Sequence, residues 1–230
     1  MSYRTCLSSS FLTATRNLNA FNTNSNRDVI SIVLSALKRF VLRKIPPVLA
    51  GKLRSWYGRR IIRAFTPHVV EHRYGTDTLK VYLGDPLSQG WYDSDWAQLP
   101  EIEELKNSRL REGAKVFDIG AHQAVVAMML AREVGSAGSV VAVEPSKHNA
   151  AIARRNLALN GFSQIDIVNC AVSDHNGQLC INEGLNCQID DGTGAWGRQY
   201  VESITIDTLA DRYGMPDVVF LDVEGAEGMA

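Results

Sequence analysis

The stretch Val116 to Ala124, VFDIGAHQA, constrains the fold of this chain most. It reads as an apolar strand ending in a carboxylate, then a tight turn of small residues, then a helix. Val140 to Asn149, VVAVEPSKHN, repeats the plan with Glu144 at the end of its strand. Glu144 lies 24 residues beyond Gly120. Two parallel strands with acids at their carboxyl ends, and a glycine in the turn, describe a nucleoside-binding crevice. A carboxylate at position 144 can accept both hydrogen bonds of a ribose diol.

The surrounding sequence alternates strands and helices. Strand Lys115 to Asp118 leads to helix Gln123 to Val134. Strand Ser139 to Glu144 leads to helix Lys147 to Leu159, with Ser146 as N-cap and Asn160-Gly161 as the stop. Strand Ile165 to Cys170 follows, then an irregular stretch, Asn176 to Gly197, expected as a hairpin and loop over the site. Helix Asp207 to Tyr213 precedes strand Asp217 to Asp222, whose VVFL run suits a strand buried on both faces. The alternation predicts a parallel sheet with helices on both faces. Upstream, Val69 to Tyr74 and Thr78 to Leu83 alternate around Gly75-Thr76-Asp77, which predicts a hairpin with a three-residue loop. Trp91, Tyr92 and Trp96 are expected in an Asp-rich loop, and Pro100 opens a short acidic helix to Lys106.

The net charge of −1 conceals an asymmetry. Through Tyr74 there are 13 Lys and Arg against Asp28 and Glu71; from Gly75 onward there are 11 against 23 acids. A basic leader ahead of an acidic domain is expected to meet something anionic. Membrane headgroups, an anionic glycan or nucleic acid each fit, as does docking on the acidic domain of its own or a neighbouring chain. Nucleic acid is the least expected of these. Residues 1–27, rich in Ser, Thr, Asn and Arg, read as a disordered tail. Residues 28–66 read as a basic helical leader, with Trp56 and Tyr57 among arginines. Residues 67–112 form a hairpin and aromatic loop, and residues 113–230 the nucleoside-binding domain. The longest apolar run, Val29 to Leu37, falls short of the ~20 residues that cross a bilayer. Cys6, Cys170, Cys180 and Cys187 form no CxxC pair, and Cys170 is expected in the core. A reduced, cytoplasmic setting follows, peripheral to a membrane where the leader engages one.

These motifs resemble the class I S-adenosylmethionine (SAM) methyltransferases, and within them the FkbM-like family. RRNLALNG (Arg154 to Gly161), VNCAVSDHNG (Val168 to Gly177) and ITIDTLADRYGMPDVVFLDVEGAE (Ile204 to Glu227) extend the likeness. The resemblance implies a Rossmann-like fold, SAM as cofactor, and O-methyl transfer to a hydroxyl of a sugar, glycolipid or small natural product. Where the family has Asn and then Gly, this chain has His122 and Ala124. A Cβ at Ala124 fits if φ is negative there. The family also continues past the fourth strand, so the resemblance implies a truncated sheet, weak or silent catalysis, and an open edge inviting self-association as a homo-oligomer.

The resemblance assigns cofactor roles to Asp118, Gly120, Ala121, His122, Glu144, Ala171 and Asp174. Asp118 and the Gly120-Ala121 backbone face the methionine end; Glu144 takes the ribose; Ala171 and Asp174 border the adenine. Asp118 can also cap the following helix, and the turn at Asp174 to Gly177 can be merely a turn. Asp222 is the first choice for general base or acceptor-orienting group, and Glu224 and Glu227 come second. These three acids can also ligate a divalent cation or cap a helix. Two rival readings stay open: an inactive fragment or binding module, and a nicotinamide-dependent oxidoreductase. The second is disfavoured because the turn is DxGAHxA and not GxGxxG.

Overall fold

The computed structural model describes Trp56, residues 60–182 and residues 198–222. The tail, most of the basic leader, the Gly- and Asp-rich loop 183–197, Glu224 and Glu227 lie outside the described residues.

Four strands form the central parallel sheet: β3 (Lys115–Ile119), β4 (Ser139–Val143), β5 (Ile165–Val168) and β9 (Val218–Leu221), in the order β5-β4-β3-β9. The chain runs outward from β3 through β4 to β5, then returns to place β9 on the other side of β3. The strand order therefore reverses beside β3, and this is where open α/β sheets bind ligands.

Side chains alternate across the sheet, as the two-residue period demands. Val116, Val140 and Ala142 enter one core, and Phe117, Ile119, Val141 and Val143 enter the other. Both faces are thus covered, as the continuous apolar run VVAV requires and as VFDI, interrupted only by Asp118, allows.

Helix α3 (Val125–Val134) and helix α4 (Lys147–Asn160) cover the first face. Ser146 caps α4, its Oγ accepting from the Asn149 amide, and Gly161 ends it in the left-handed region at φ 71°. Helix α5 (Ile206–Tyr213) packs Leu209 on the second face. Three further strands, β6 (Ala171–Val172), β7 (Gly177–Asn182) and β8 (Arg198–Ile204), form a separate sheet in the order β6-β8-β7.

The upstream hairpin is part of the same core. β1 (His68–Tyr74) and β2 (Asp77–Leu83) pair antiparallel through a two-residue turn, with Gly75 at φ 63°. The turn is one residue shorter than the sequence suggests, because Asp77 pairs with Tyr74. Leu79, Val81 and Leu83 point inward and are fully buried. Along α4, Asn156 and Asn160 stand one turn apart and take the free backbone edge of β2. Asn160 accepts from the Lys80 amide at 2.9 Å and donates to the Lys80 carbonyl at 2.7 Å; Asn156 accepts from the Tyr82 amide at 2.7 Å. A helix face thus satisfies a sheet edge that would otherwise be open.

Beyond β2 the expected loop is a helix, α1 (Pro86–Tyr92). Asp85 is its N-cap and Pro86 sits in its first turn. Ser88 Oγ accepts from the Asp85 amide, closing a capping box. Helix α2 (Pro100–Lys106) follows as expected. Among the described residues no helix is long and apolar enough to cross a membrane.

Candidate functional site

The carboxyl ends of β4, β3 and β9 converge at the reversal point. The Gly120 and Ala121 amides donate to the Val143 carbonyl at 2.9 and 3.0 Å, and the Asp222 amide donates to the Ile119 carbonyl at 2.9 Å. Glu144 and Asp222 therefore flank the end of β3 on opposite sides. Asp118 sits one residue inside the end of the same strand.

The turn from β3 to α3 is unusual in its backbone. Gly120 has φ 89°, His122 φ 49° and Ala124 φ 64°. Glycine adopts such values freely. The other two residues cost roughly 1–2 kcal/mol each. The sequence allowed a Cβ at Ala124 on condition of a negative φ; that condition is not met, and the position keeps a left-handed shape with a Cβ in it. Hydrogen bonds over-determine the turn and so hold the strain. The Ala124 amide donates to the Ala121 carbonyl at 2.8 Å, the His122 amide to Glu144 Oε2 at 2.8 Å, and Asn156 Nδ2 to the Gln123 carbonyl at 3.0 Å. Helix α3 consequently begins at Val125, not Gln123, and Asp118 does not cap it.

Asp118 is 1% exposed, and its Oδ2 has no hydrogen-bond partner among the described residues. Burial, then the charges of Asp222 and Glu144, push its carboxyl up to about 8. A buried carboxylate oxygen without a donor is costly, and a bound cationic donor relieves that cost.

Glu144 is buried too, yet well supplied. Besides the His122 amide, it accepts from the Ser146 amide at 2.8 Å and from Asn149 Nδ2 at 3.4 Å. Burial raises its carboxyl to about 7, against the lowering effect of these bonds. Asn169 Nδ2 donates to the Glu144 and Pro145 carbonyls at 2.8 and 3.0 Å and so fixes the end of β4.

A cluster of rings borders the turn. Trp91 and Tyr92 lie 5.0 and 5.7 Å from the His122 ring, and Trp96 packs 5.5 Å from Tyr92. The Tyr92 hydroxyl and His122 Nδ1 share a hydrogen bond of 2.9 Å. Burial raises the Tyr92 phenol well above its ordinary range, and the charges of Glu144, Asp118 and Asp222 add to this. The aromatic segment therefore faces the same acids as the turn.

The structure brings together Asp118, Gly120, Ala121, His122, Glu144 and Asp222. It places Ala171 in β6, buried with Ile181 and Val201. Asp174 is exposed and meets His175 Nδ1 at 2.7 Å, within a turn where Asn176 Oδ1 accepts from the Thr205 amide at 3.0 Å. Asp222 is exposed, at the last described position. Cys170 is buried, as expected.

Sequence reasoning missed Asp85, Gln123 and Asn149. Asp85 is fully buried: its Oδ2 accepts from Gln123 Nε2 at 2.8 Å and from His148 Nε2 at 3.0 Å. Burial raises its carboxyl, but bonds from His148, Ser88 and Gln123 outweigh that and hold it below the usual carboxylate value. The signal was present in Asp85-Pro86-Leu87-Ser88, a helix-start signature.

Residues 118–230 match the family described as the Methyltransferase FkbM domain. Among solved structures, a SAM-dependent methyltransferase from Aquifex aeolicus is 25% identical over 37% of this chain and 42% of its own, with a TM-score of 0.29. TrmN from Thermus thermophilus is 22% identical over 30% of this chain and 20% of its own, with a TM-score of 0.28. A protein-L-isoaspartate O-methyltransferase is 21% identical over 56% of this chain and 40% of its own, with a TM-score of 0.26. The chain thus spans less than half the length of each, and TM-scores this low carry no weight for the architecture, which stands on strand order. No curated protein matches the chain. Residues 118–230, just under half of the chain, are thus similar to the Methyltransferase FkbM domain, and the parallel sheet within the same stretch carries acids at the carboxyl ends of its strands.

Proposed function

We propose that this chain holds SAM in the crevice over β3 and β4 and transfers its methyl group to a hydroxyl of a sugar, glycolipid or small natural product. The observation that carries the reading is Asp118 Oδ2, buried and without a hydrogen-bond partner among the described residues, at the point where the strand order reverses. The methionine ammonium of SAM is the donor this oxygen lacks. Glu144 is the second point of fit. Each of its oxygens already accepts from a backbone amide. Lone pairs remain for a ribose diol, since a carboxylate offers about four acceptor sites. Gly120, Ala121 and His122 give the cofactor a close backbone approach. Ala171 and Asp174 are assigned to the adenine side.

When bound, SAM supplies a methyl group already activated on a sulfonium centre. The protein's task is alignment and exclusion of water. Trp91 and Tyr92 wall the crevice on the acceptor side. Asp222, with Glu224 as second choice, orients the acceptor hydroxyl and takes its proton on a carboxylate oxygen. The basic leader, residues 28–65, brings the chain to an anionic membrane surface, on the strength of its charge alone.

The test follows S-adenosylhomocysteine (SAH) release over a panel of sugar and glycolipid acceptors. Turnover with a hydroxyl acceptor is expected, and Asp222→Asn should lower it by about 100-fold or more while SAH still binds. SAH binding with no turnover on any hydroxyl acceptor would leave a binding module and refute the transferase reading.

A further inference from the structure

Helix α1 lies upstream of the residues that match the family, yet it touches the cofactor turn at both of its ends. At its start, Asp85 divides its two oxygens. Oδ1 accepts from the Leu87 and Ser88 amides at 2.9 and 2.8 Å and so caps the helix. Oδ2 reaches across to Gln123 Nε2 at 2.8 Å. Gln123 is fully buried between His122 and Ala124, the two non-glycine residues in the left-handed region. At the other end of α1, the Tyr92 hydroxyl meets His122 Nδ1 at 2.9 Å, and the Trp91 ring packs against the same imidazole.

An L-residue held at positive φ relaxes when its surroundings let it. The backbone bonds from Glu144 and Asn156 restrain the turn from the sheet and α4. The side chains of Gln123 and His122 are restrained from α1. The buried carboxylate at Asp85 is more than a capping helix requires, since capping uses one oxygen only.

We propose that α1 is a clasp on the cofactor turn: Asp85 through Gln123, and Tyr92 through His122, are positioning residues that keep residues 120–124 in the shape that receives SAM. This rests on the SAM reading above. Because Trp91 and Tyr92 ride on the same helix, the clasp also sets the acceptor-side wall in register with the turn. Asp85, Gln123 and Tyr92 act through the turn; the reacting atoms are met by other groups.

Two substitutions test it. Gln123→Met keeps the length of the side chain and donates nothing. Tyr92→Phe removes only the hydroxyl and guards against a misfolded Gln123→Met. SAH affinity is measured by calorimetry, and amide exchange at residues 121–125 is followed without ligand, with thermal melts on the same samples. Each single change should weaken SAH binding by about five- to tenfold and speed exchange in the turn. The double change should weaken it by less than the product of the two, because both act on one turn. Lowered melting points with unchanged affinity and unchanged exchange in the turn would overturn the clasp and leave ordinary packing. If the unsubstituted chain binds no SAH, the SAM reading falls and takes the clasp with it; if it binds and the variants bind equally well, the clasp alone falls.

Discussion

Replacing Asp118 by Asn should make the ligand-free protein more stable, and more so at higher pH. Asp118 is 1% exposed, and its Oδ2 has no partner among the described residues. Burial, with the charges of Asp222 and Glu144, raises its carboxyl from 3.8 to about 8. Between those values the folded state holds a proton that the unfolded chain has released. The contribution of this group to stability is therefore complete below about pH 4 and is lost as pH rises toward 8. The loss is at most about 1.4 kcal/mol per pH unit, which accumulates to on the order of 5 kcal/mol at pH 8 and about 1.5 kcal/mol at pH 5. An amide of the same shape removes that penalty but buries unpaired polar atoms at a cost of about 1–3 kcal/mol. Asp118→Asn should thus gain about 2–4 kcal/mol at pH 8 and change little at pH 5. Urea melts of both proteins at the two pH values measure this. Equal stabilities at pH 8, or a larger gain at pH 5, would refute the assignment of a buried, unrelieved carboxyl.

Glu144→Gln should weaken SAH binding by about 1–3 kcal/mol, read by calorimetry, because the ribose loses a charged acceptor. Asn156→Ala should destabilise the fold by about 2–4 kcal/mol in urea melts, since it leaves the Tyr82 amide and the Gln123 carbonyl without their buried partner. Gly161→Ala should cost about 1–2 kcal/mol in the same assay through strain alone, because φ is 71° and a Cβ there meets nothing within 4 Å.

The central sheet was legible because its pattern is strong. VVAV is apolar on both faces, VFDI is so but for Asp118, and Ser146 and Asn160-Gly161 punctuate α4 at both ends. Cys170 and the carboxylates Asp118 and Glu144 followed from the same pattern. The turn was harder. The side chain of Ala124 fits most easily at a negative φ, yet backbone and side-chain bonds from neighbouring elements hold it positive. Helix α1 was read as a loop because Trp91, Tyr92, Asp93 and Asp95 mask its short amphipathic face. Its start signal at Asp85 was readable, but the reach from Asp85 to Gln123 depends on the hairpin docking on α4, which no local pattern encodes. Strand β8 hid behind a Gly- and Asp-rich stretch, and its mixed RQYVESI sequence gains strand character only by pairing with β7.

The most direct test of the account is a calorimetric titration of the intact chain with SAH across pH, with NADH as the control ligand. Asp118 must give up its proton to pair with the ligand ammonium, so affinity should rise between pH 6 and pH 8, by about tenfold or more. The rise should be clearly smaller in Asp118→Asn, where only ionisation of Glu144, raised to about 7, remains to strengthen binding, and NADH should bind far more weakly than SAH. No SAH binding, an affinity that is flat or falls with pH, or tighter binding of NADH would contradict the claim that this crevice is built for SAM.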